Sequence, residues 1–412
     1  MTCIEFLDPT AAENVCACIT AAPDRVILVG DKAKQLKKHA ERYASVFKTV
    51  EFGYKSVTKN DMSDIVAVLS ELVETYDDCV FDLTGGEDLY LVAVGIVHER
   101  YSDRNIQMHR FNIRNGKIID CDEDGRTLRT SETIRLSIGD NIRIYGGDVA
   151  YDTEKSGGTH LWQYDSQFRA EIDAIWDVCK GDVKAWNSHM GILAMAEGNR
   201  KADTDELTTL VRLSEQSPSV RNSLKTFAEK REIAGKLQQT GFIDYSISKS
   251  EFRITYKNDQ VKRCLIKAGQ ALEMKIFSAA KMLTDKDGSS YYNDVMNGVC
   301  IDWDGEIHAL SEGPDTENEI DVMLMKGAVP IFISCKNGNV GTDELYKLNT
   351  VAEKFGRQYA KKVLIATALE QNSLSADYFR QRAEDMDIRL VEGIQEMDDE
   401  KLGNELKKLW NS

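Results

Sequence analysis

Four residues in the stretch NEIDVMLMKGAVPIFISCKNG, residues 318–338, have the types and spacing to do chemistry: Glu319, Asp321, Ser334 and Lys336. The segments NEIDVML and VPIFISC are rich in β-branched and apolar residues, and MKGAVP between them supplies the Gly and Pro that punctuate strands, so a β-hairpin is expected. Side chains alternate across a strand, which puts Glu319 and Asp321 on one face with Ile320 and Val322 on the other, while Ser334 and Lys336 share a face of the partner strand. Two acids and a lysine can thus converge. Carboxylate oxygens suit a hard divalent cation, and an ammonium beside them can orient water or stabilise developing negative charge. A cross-strand salt bridge at a sheet edge is the other reading of the same pattern.

The flanking patterns predict the elements that position this hairpin. Residues 259–283 read as one helix, with Glu273 among apolar residues, and VMNGVCIDWDG (295–305) reads as a strand ending in an Asp-Gly turn. After the hairpin come a helix over 342–356, the strand KKVLIAT, a helix around ADYFRQRAEDM and the strand IRLVEG. The expected order is helix, three antiparallel strands, helix, strand.

The first 150 residues alternate differently. TCIEFLD, RVILVGD, FKTVEF and DCVFDL read as strands, each followed by a helix, which is the pattern of a doubly wound parallel sheet. Such sheets bind ligands beyond the carboxyl ends of the strands, where the strand order reverses. Two loops qualify: Asp8, Pro9 and Thr10 after the first strand, and Thr84, Gly85, Gly86, Glu87 and Asp88 after the fourth, leading into a helix N-terminus. Glycines there let backbone N–H groups approach a phosphate, although a turn needs glycine anyway and the acids at 87 and 88 oppose a free phosphate. FNIRNGKII adds a hairpin whose turn carries Asn115, Gly116 and Lys117. Neither GxGxxG nor GxxxxGK[ST] occurs, so the ordinary dinucleotide and P-loop readings lose most of their support.

Between them, residues 160–258 read as helices over SQFRAEIDAIWDVCK, VKAWNSHMGILAMAEGN, TDELTTLVRLSEQ and VRNSLKTFAEKREIAGKLQQ, then a β-hairpin around Ser-Lys-Ser. Helices followed by a hairpin predict a winged-helix-like module; its wing is of mixed charge, favouring a structural or dimerising linker over a DNA reader.

Composition sets outer limits. With 412 residues, two or three domains are expected, and a net charge of −16 excludes a protein that coats nucleic acid with its whole surface, so any such contact is local. Nine scattered cysteines read as reduced core thiols, and the pair in CAC (16–18) has no Cys/His partners at zinc spacing. No leader-like start and no membrane-spanning apolar run is present, so a cytoplasmic protein without membrane contact is expected.

The C-terminal order of elements, with Asp321 as first acid and SCK (334–336) in place of (D/E)XK, resembles the PD-(D/E)XK nuclease superfamily. Taken with the DPT and LTGGED loops, the whole chain resembles CRISPR-associated Rossmann-fold (CARF) effector nucleases. That resemblance implies an α/β protein of three parts: a Rossmann-like CARF sensor (1–155), a helical winged-helix-like connector (156–258) and a restriction-endonuclease-like α/β/α nuclease (259–412). It further implies a homodimer that binds cyclic oligoadenylate, commonly cyclic tetra-adenylate, across two CARF domains and then cuts DNA or RNA with Mn²⁺ or Mg²⁺. Oxygen ligands for such a cation would come from Asp321, Glu273 and the Cys335 carbonyl, with Lys336 placed to orient or deprotonate the attacking water and to stabilise phosphorane charge. Ser334 stands where the family usually has an acid, and Glu319 is the candidate to replace it. A ligand-responsive transcription regulator, reading DNA through the winged region without cutting it, is the alternative.

Overall fold

The computed structural model describes residues 1–410 except 114–115, 122–126, 131–134, 155–156, 202–204, 231, 309–316, 339 and 369–372; the side chains of 17–19, 127–130 and 373–374 are also left aside. Asn115 therefore lies outside the described residues.

The N-terminal part runs β1 (Thr2–Phe6), α1 (Ala11–Ala21), β2 (Arg25–Gly30), α2 (Ala33–Val46), β3 (Glu51–Ser56), α3 (Met62–Thr75), β4 (Cys79–Asp82), α4 (Asp88–Arg100), β5 (Ile106–Asn112), β6 (Lys117–Asp120) and β7 (Thr127–Thr130). These strands form one sheet in the order β3-β2-β1-β4-β5-β6-β7, the first five parallel and the last two antiparallel. The order reverses between β1 and β4, so the 8–10 and 84–88 loops emerge side by side. Alternation along β1 sends Cys3 into the core beneath α1 and α2, and Ile4 and Phe6 into the one beneath α3 and α4.

Next come α5 (Ile138–Tyr145) and β8 (Asp148–Val149), then α6 (Ser166–Gly181), α7 (Val183–Gly198), β9 (Thr208–Arg212), α8 (Pro218–Glu229), α9 (Ala234–Gln239), β10 (Ile243–Ile247) and β11 (Glu251–Tyr256). The segment expected as a helix at TDELTTLVRLSEQ is instead the strand β9, which pairs with β11 to complete a sheet ordered β10-β11-β9. Its β-branched Thr208, Thr209 and Val211 favour the extended backbone once β11 offers an edge.

The C-terminal part runs α10 (Asp259–Leu265), α11 (Gln270–Met282), β12 (Asp294–Asp302), β13 (Glu317–Lys326), β14 (Val329–Lys336), α12 (Asp343–Phe355), β15 (Lys361–Ala366), α13 (Ser373–Asp385), β16 (Ile388–Glu392) and α14 (Asp399–Lys408). The single helix expected over 259–283 is broken at residues 266–269, where Gly269, a poor helix former, precedes α11. The sheet order is β16-β15-β14-β13-β12-β8, antiparallel from β14 to β8 and parallel from β14 to β16. Its outer strand β8 comes from residues 148–149, ahead of the domain boundary expected at 155.

That exchange has a packing counterpart. One continuous apolar core holds Val26 and Leu28 of the first sheet, Ile138 and Ile142 of α5, and Met323, Phe332 and Phe355 of the C-terminal part. Asn141 of α5, wholly buried, donates from Nδ2 to the Phe355 carbonyl at 2.8 Å. Asn141→Ala leaves that buried carbonyl unpaired and is expected to cost about 1–3 kcal/mol. The urea unfolding midpoint should fall accordingly; an unchanged midpoint would mean the two sheets are not joined here.

Candidate metal centre and ligand crevice

The site is built on a fork between β13 and β14. Their ladder runs from Lys326↔Val329 to Val322↔Ile333 and stops, so Asp321 stands where the strands part. Opposite, Gly298 of β12 has φ +58°, a left-handed conformation that favours glycine, and the alternation of β13 breaks there. Ile320 and Val322, expected on one face, consequently pack into different cores.

Parting costs backbone hydrogen bonds, and Asp321 supplies the replacement. Its Oδ2 accepts the Cys335 N–H at 2.6 Å and the Ser334 hydroxyl at 3.2 Å. Lys336 accepts from Thr367 N–H on the β15 side through its carbonyl, so the N–H and C=O of Cys335, one residue earlier, both point to the fork. The Cys335 carbonyl thus opens toward the acids.

Glu273, 2% exposed in the first turn of α11, completes the group: one oxygen each from Glu273, Glu319 and Asp321 lie within 4.8 Å of one another. Asn297 of β12 donates to the Asp321 carbonyl at 2.9 Å and, more distantly, to Glu273 at 3.5 Å; Gln270 holds Asn297 in turn at 2.9 Å. Burial pushes the Glu273 carboxyl up to about 7, against the pull of Lys267, with Asp321 and Glu319 adding to the rise. Three oxygen donors of this kind, with a backbone carbonyl beside them, fit a hard divalent cation.

Two lysines flank the acids. Lys267, in the break between α10 and α11, lies 2.6 Å from Glu319 and 3.4 Å from Glu273. Desolvation works against its charge, but Glu273, Glu319 and Asp321 hold its pKa above the ordinary lysine range. Lys336 lies 2.9 Å from Glu344 of α12 and 3.7 Å from Asp321, and these carboxylates raise its pKa against the desolvation that opposes it. A cavity of about 290 Å³ opens here, lined by Glu319, Asp321, Ser334, Lys336, Glu344 and Lys347 among others. Sequence reasoning brought forward Glu273, Glu319, Asp321, Ser334, Cys335 and Lys336, and the fold brings them together. It missed Lys267 and Glu344, which no strand or helix period links to the hairpin.

The two candidate ligand loops are also locally built. Asp8 N–H donates to Asn14, whose amide returns a bond to the Asp8 carbonyl, and Thr10 N–H closes onto the Asp8 carboxylate at 2.7 Å; Pro9 is exposed. Thr84 accepts the Phe111 N–H at 2.7 Å and donates to the buried Asp82. Burial, first of all, raises the Asp82 carboxyl. A Cβ on Gly85 would lie 2.9 Å from that of Asp8, and Gly86, at φ +95°, would meet Phe6 at 2.6 Å, so the two loops touch through glycines. Glu87 and Asp88 face solvent at the start of α4, and Gly116 (φ +64°) and the exposed Lys117 lie at the same edge of the sheet. The loop reaches the C-terminal part directly: Thr10 donates to Gln358 at 3.3 Å, while Gln358 and Tyr359 donate to Glu13 at 3.0 and 2.5 Å. Beside these contacts lies a cavity of about 570 Å³ lined by Arg110, Phe111, Asn112, Gln358 and Tyr359 among others. Among the described residues, no helix is long and apolar enough to cross a membrane.

No family model and no curated protein matches the sequence. Solved structures do match the fold. Protein VC1899 from Vibrio cholerae superposes with a TM-score of 0.73 at 16% identity, over 100% of this chain and 98% of that one. Can2 from Sulfobacillus thermosulfidooxidans, solved in complex with cyclic tetra-adenylate, gives 0.65 at 15% identity over 100% and 99%. A type III CRISPR defence DNA nuclease activated by cyclic oligoadenylate gives 0.50 at 12% identity, over 90% of this chain and 46% of that chain. The chain thus shares the mixed α/β fold of these proteins along its length.

Ser334→Asp tests the metal centre. A second carboxylate against Asp321 should lower the melting temperature in chelator by about 2–4 °C, the shift for roughly 1 kcal/mol of like-charge repulsion, and Mn²⁺ should restore it. A loss that Mn²⁺ does not recover would remove Asp321 from the metal ligands.

Proposed function

We propose that this protein is a metal-dependent nuclease of type III CRISPR defence, switched on by cyclic tetra-adenylate and cleaving phosphodiester bonds of DNA, by cutting single strands or nicking duplex, of single-stranded RNA, or of both. The observation that carries this reading is the convergence of Glu273, Glu319 and Asp321 with Lys336 at a strand fork. Similarity in fold to Can2 and to the DNA nuclease supports it. The resemblance to a CARF sensor, a winged-helix-like connector and a restriction-endonuclease-like core agrees with the order of elements.

Glu273, Asp321 and the Cys335 carbonyl would hold Mn²⁺ or Mg²⁺, with Glu319 in place of the acid that Ser334 lacks; the cation supplies Lewis acidity toward the scissile phosphate. Ser334 instead donates to Asp321 and fixes its carboxylate. Lys336 pairs with Glu344 and Asp321, which raise its pKa against the desolvation that opposes it. It is placed to orient or deprotonate the attacking water and to stabilise phosphorane charge. Lys267, seated between Glu273 and Glu319, balances their charge and would have to give way to a cation held on the same oxygens.

The activator would lie across the 8–10 and 84–88 loops and the Lys117 turn, with backbone N–H groups facing its phosphates. Thr10 and Glu13 give the bound ring a hydrogen-bonded route to Gln358 and Tyr359, immediately before β15. The exposed face of α4 supports the homodimer in this reading. This helix is apolar on two sides: Tyr90, Ala93, Val94 and Val97 are buried, while Leu91, Val92 and Ile96 are 37%, 56% and 39% exposed beside the glycine loop. A second copy covering that face would set two identical crevices about one axis, matching a ring with internal two-fold symmetry.

Val92→Asp should convert the dimer to a monomer of unchanged circular dichroism in light scattering, with loss of cyclic tetra-adenylate binding; a mass still that of a dimer would exclude the α4 interface.

Lys336→Ala and Asp321→Ala should each cut activated cleavage by about 10²–10⁴. Calorimetry should find Mn²⁺ affinity kept in Lys336→Ala and lost in Asp321→Ala, and activator affinity kept in both. Cleavage by Lys336→Ala at the wild-type rate would reduce the site to a salt-bridged sheet edge, and a DNA fragment shifted on a gel without shortening would support the transcription-regulator alternative.

A further inference from the structure

We infer that α7 of the connector is a positioning element of the candidate nuclease site, with Asn187 as its principal residue: two adjacent side chains of α7 hold the two segments that carry Lys336 and Lys267. This rests on the nuclease reading above and assigns the connector a task within it.

The first contact lies immediately past Lys336. Asn337 donates from Nδ2 to Asn187 Oδ1 at 3.0 Å, and Asn187 Nδ2 donates back to the Asn337 carbonyl. The same Asn337 amide lies 3.3 Å from the Cys179 sulfur of α6. Gly338, at φ +125°, adopts a backbone that favours glycine, and a Cβ there would stand 3.3 Å from the Asn187 amide. The chain leaving β14 is therefore folded closely over this side chain. On its other side, the Lys336 carbonyl accepts Thr367 N–H, so Lys336 stands between a bond to β15 and a clamp from α7.

The second contact comes one residue earlier on the helix. Trp186 is fully buried, and its indole N–H donates to the Ala268 carbonyl at 3.2 Å. Ala268 lies in the break between α10 and α11, next to Lys267, whose ammonium bridges Glu319 and Glu273.

Both contacts sit in the first turns of α7, after its cap, where the Asp182 carboxylate accepts the Ala185 N–H at 2.9 Å. The far end is anchored separately: Lys262 of α10, itself buried, donates to Glu197 at 2.7 Å. α7 is thus tied to α10 at one end and, through Trp186 and Asn187, to the segments beside the two lysines at the other. The reciprocal amide pair is directional, which distinguishes it from apolar packing. Losing it frees the Lys336 end of β14 without removing any group that touches substrate, and small displacements of a positioned group are costly in rate.

Asn187→Ala in the full-length chain, assayed on labelled single-stranded DNA with cyclic tetra-adenylate and Mn²⁺, should lower kcat by about 10- to 10²-fold with KM and activator affinity unchanged. Asn337→Ala removes its own amide bond and leaves the Asn187 bond to the backbone carbonyl, so it should lower kcat by less, and the double variant should be no worse than Asn187→Ala, which already removes both bonds. Ser188→Ala, on the exposed side of the same helix, should match wild type. Hydrogen exchange supplies a readout independent of cleavage: Asn187→Ala should speed exchange across residues 334–338 at unchanged global stability. Faster exchange in a protein whose wild type does not cut would uphold the positioning role and overturn the nuclease reading. Unchanged kcat and unchanged exchange would overturn the positioning role alone, as would additive losses in the double variant. A raised KM at constant kcat would also overturn it and assign α7 to substrate binding.

Discussion

The parting of β13 from β14 is the constraint on which the rest of the site depends. Strands that separate inside a sheet strand their backbone polar groups, and a buried N–H without a partner costs about as much as a lost hydrogen bond. Here the Asp321 carboxylate takes the Cys335 N–H. One interaction thereby repairs the fork, turns the Cys335 carbonyl into the gap, and fixes the acid around which Glu273 and Glu319 gather. The cost is an excess of negative charge in a partly enclosed space, and Lys267 and Lys336 offset it. Such an arrangement is poorly explained as a device for stability, since buried charge clusters rarely outperform apolar packing. It accords with the proposed cation site, in which Glu273, Glu319 and Asp321 offer oxygens to one ion.

The fork is held from outside as much as from within. α11 brings Glu273 from one face of the sheet and α12 brings Glu344 from the other. α5 and β8, which precede the connector in sequence, are built into the C-terminal sheet and its core, so the first sheet and the fork share packing. The crevice of the first sheet is tied to the same body through Glu13, Gln358 and Tyr359. A ligand seated on the 8–10 loop would therefore press on residues bonded to the second sheet.

Much of this was legible in the chain. Alternating apolar runs announced both sheets, and the Gly-Gly and Asp-Pro-Thr loops fell at the reversal of strand order because that reversal follows from how the helices are dealt to the two faces. Glu273, Asp321 and Lys336 were readable because a charge inside an apolar stretch needs a partner. Three features were not. β9 carries enough charged neighbours to mimic a helix, and only pairing with β11 decides it. The break at 266–269 was hidden by apolar residues on both sides, although Gly269 marked it. Strict alternation along β13 failed at Asp321, because the twist that opens the fork depends on Gly298 of another strand. Lys267 and Glu344 became visible only once these elements were assembled.

The most direct test of the account is a crystal structure of the protein grown with Mn²⁺ and measured at the manganese edge. The account predicts an anomalous peak bounded by Glu273, Asp321 and the Cys335 carbonyl, with the Lys267 ammonium no longer bridging Glu273 and Glu319. A fork with no peak, and with Lys267 still seated between those two acids, would contradict it.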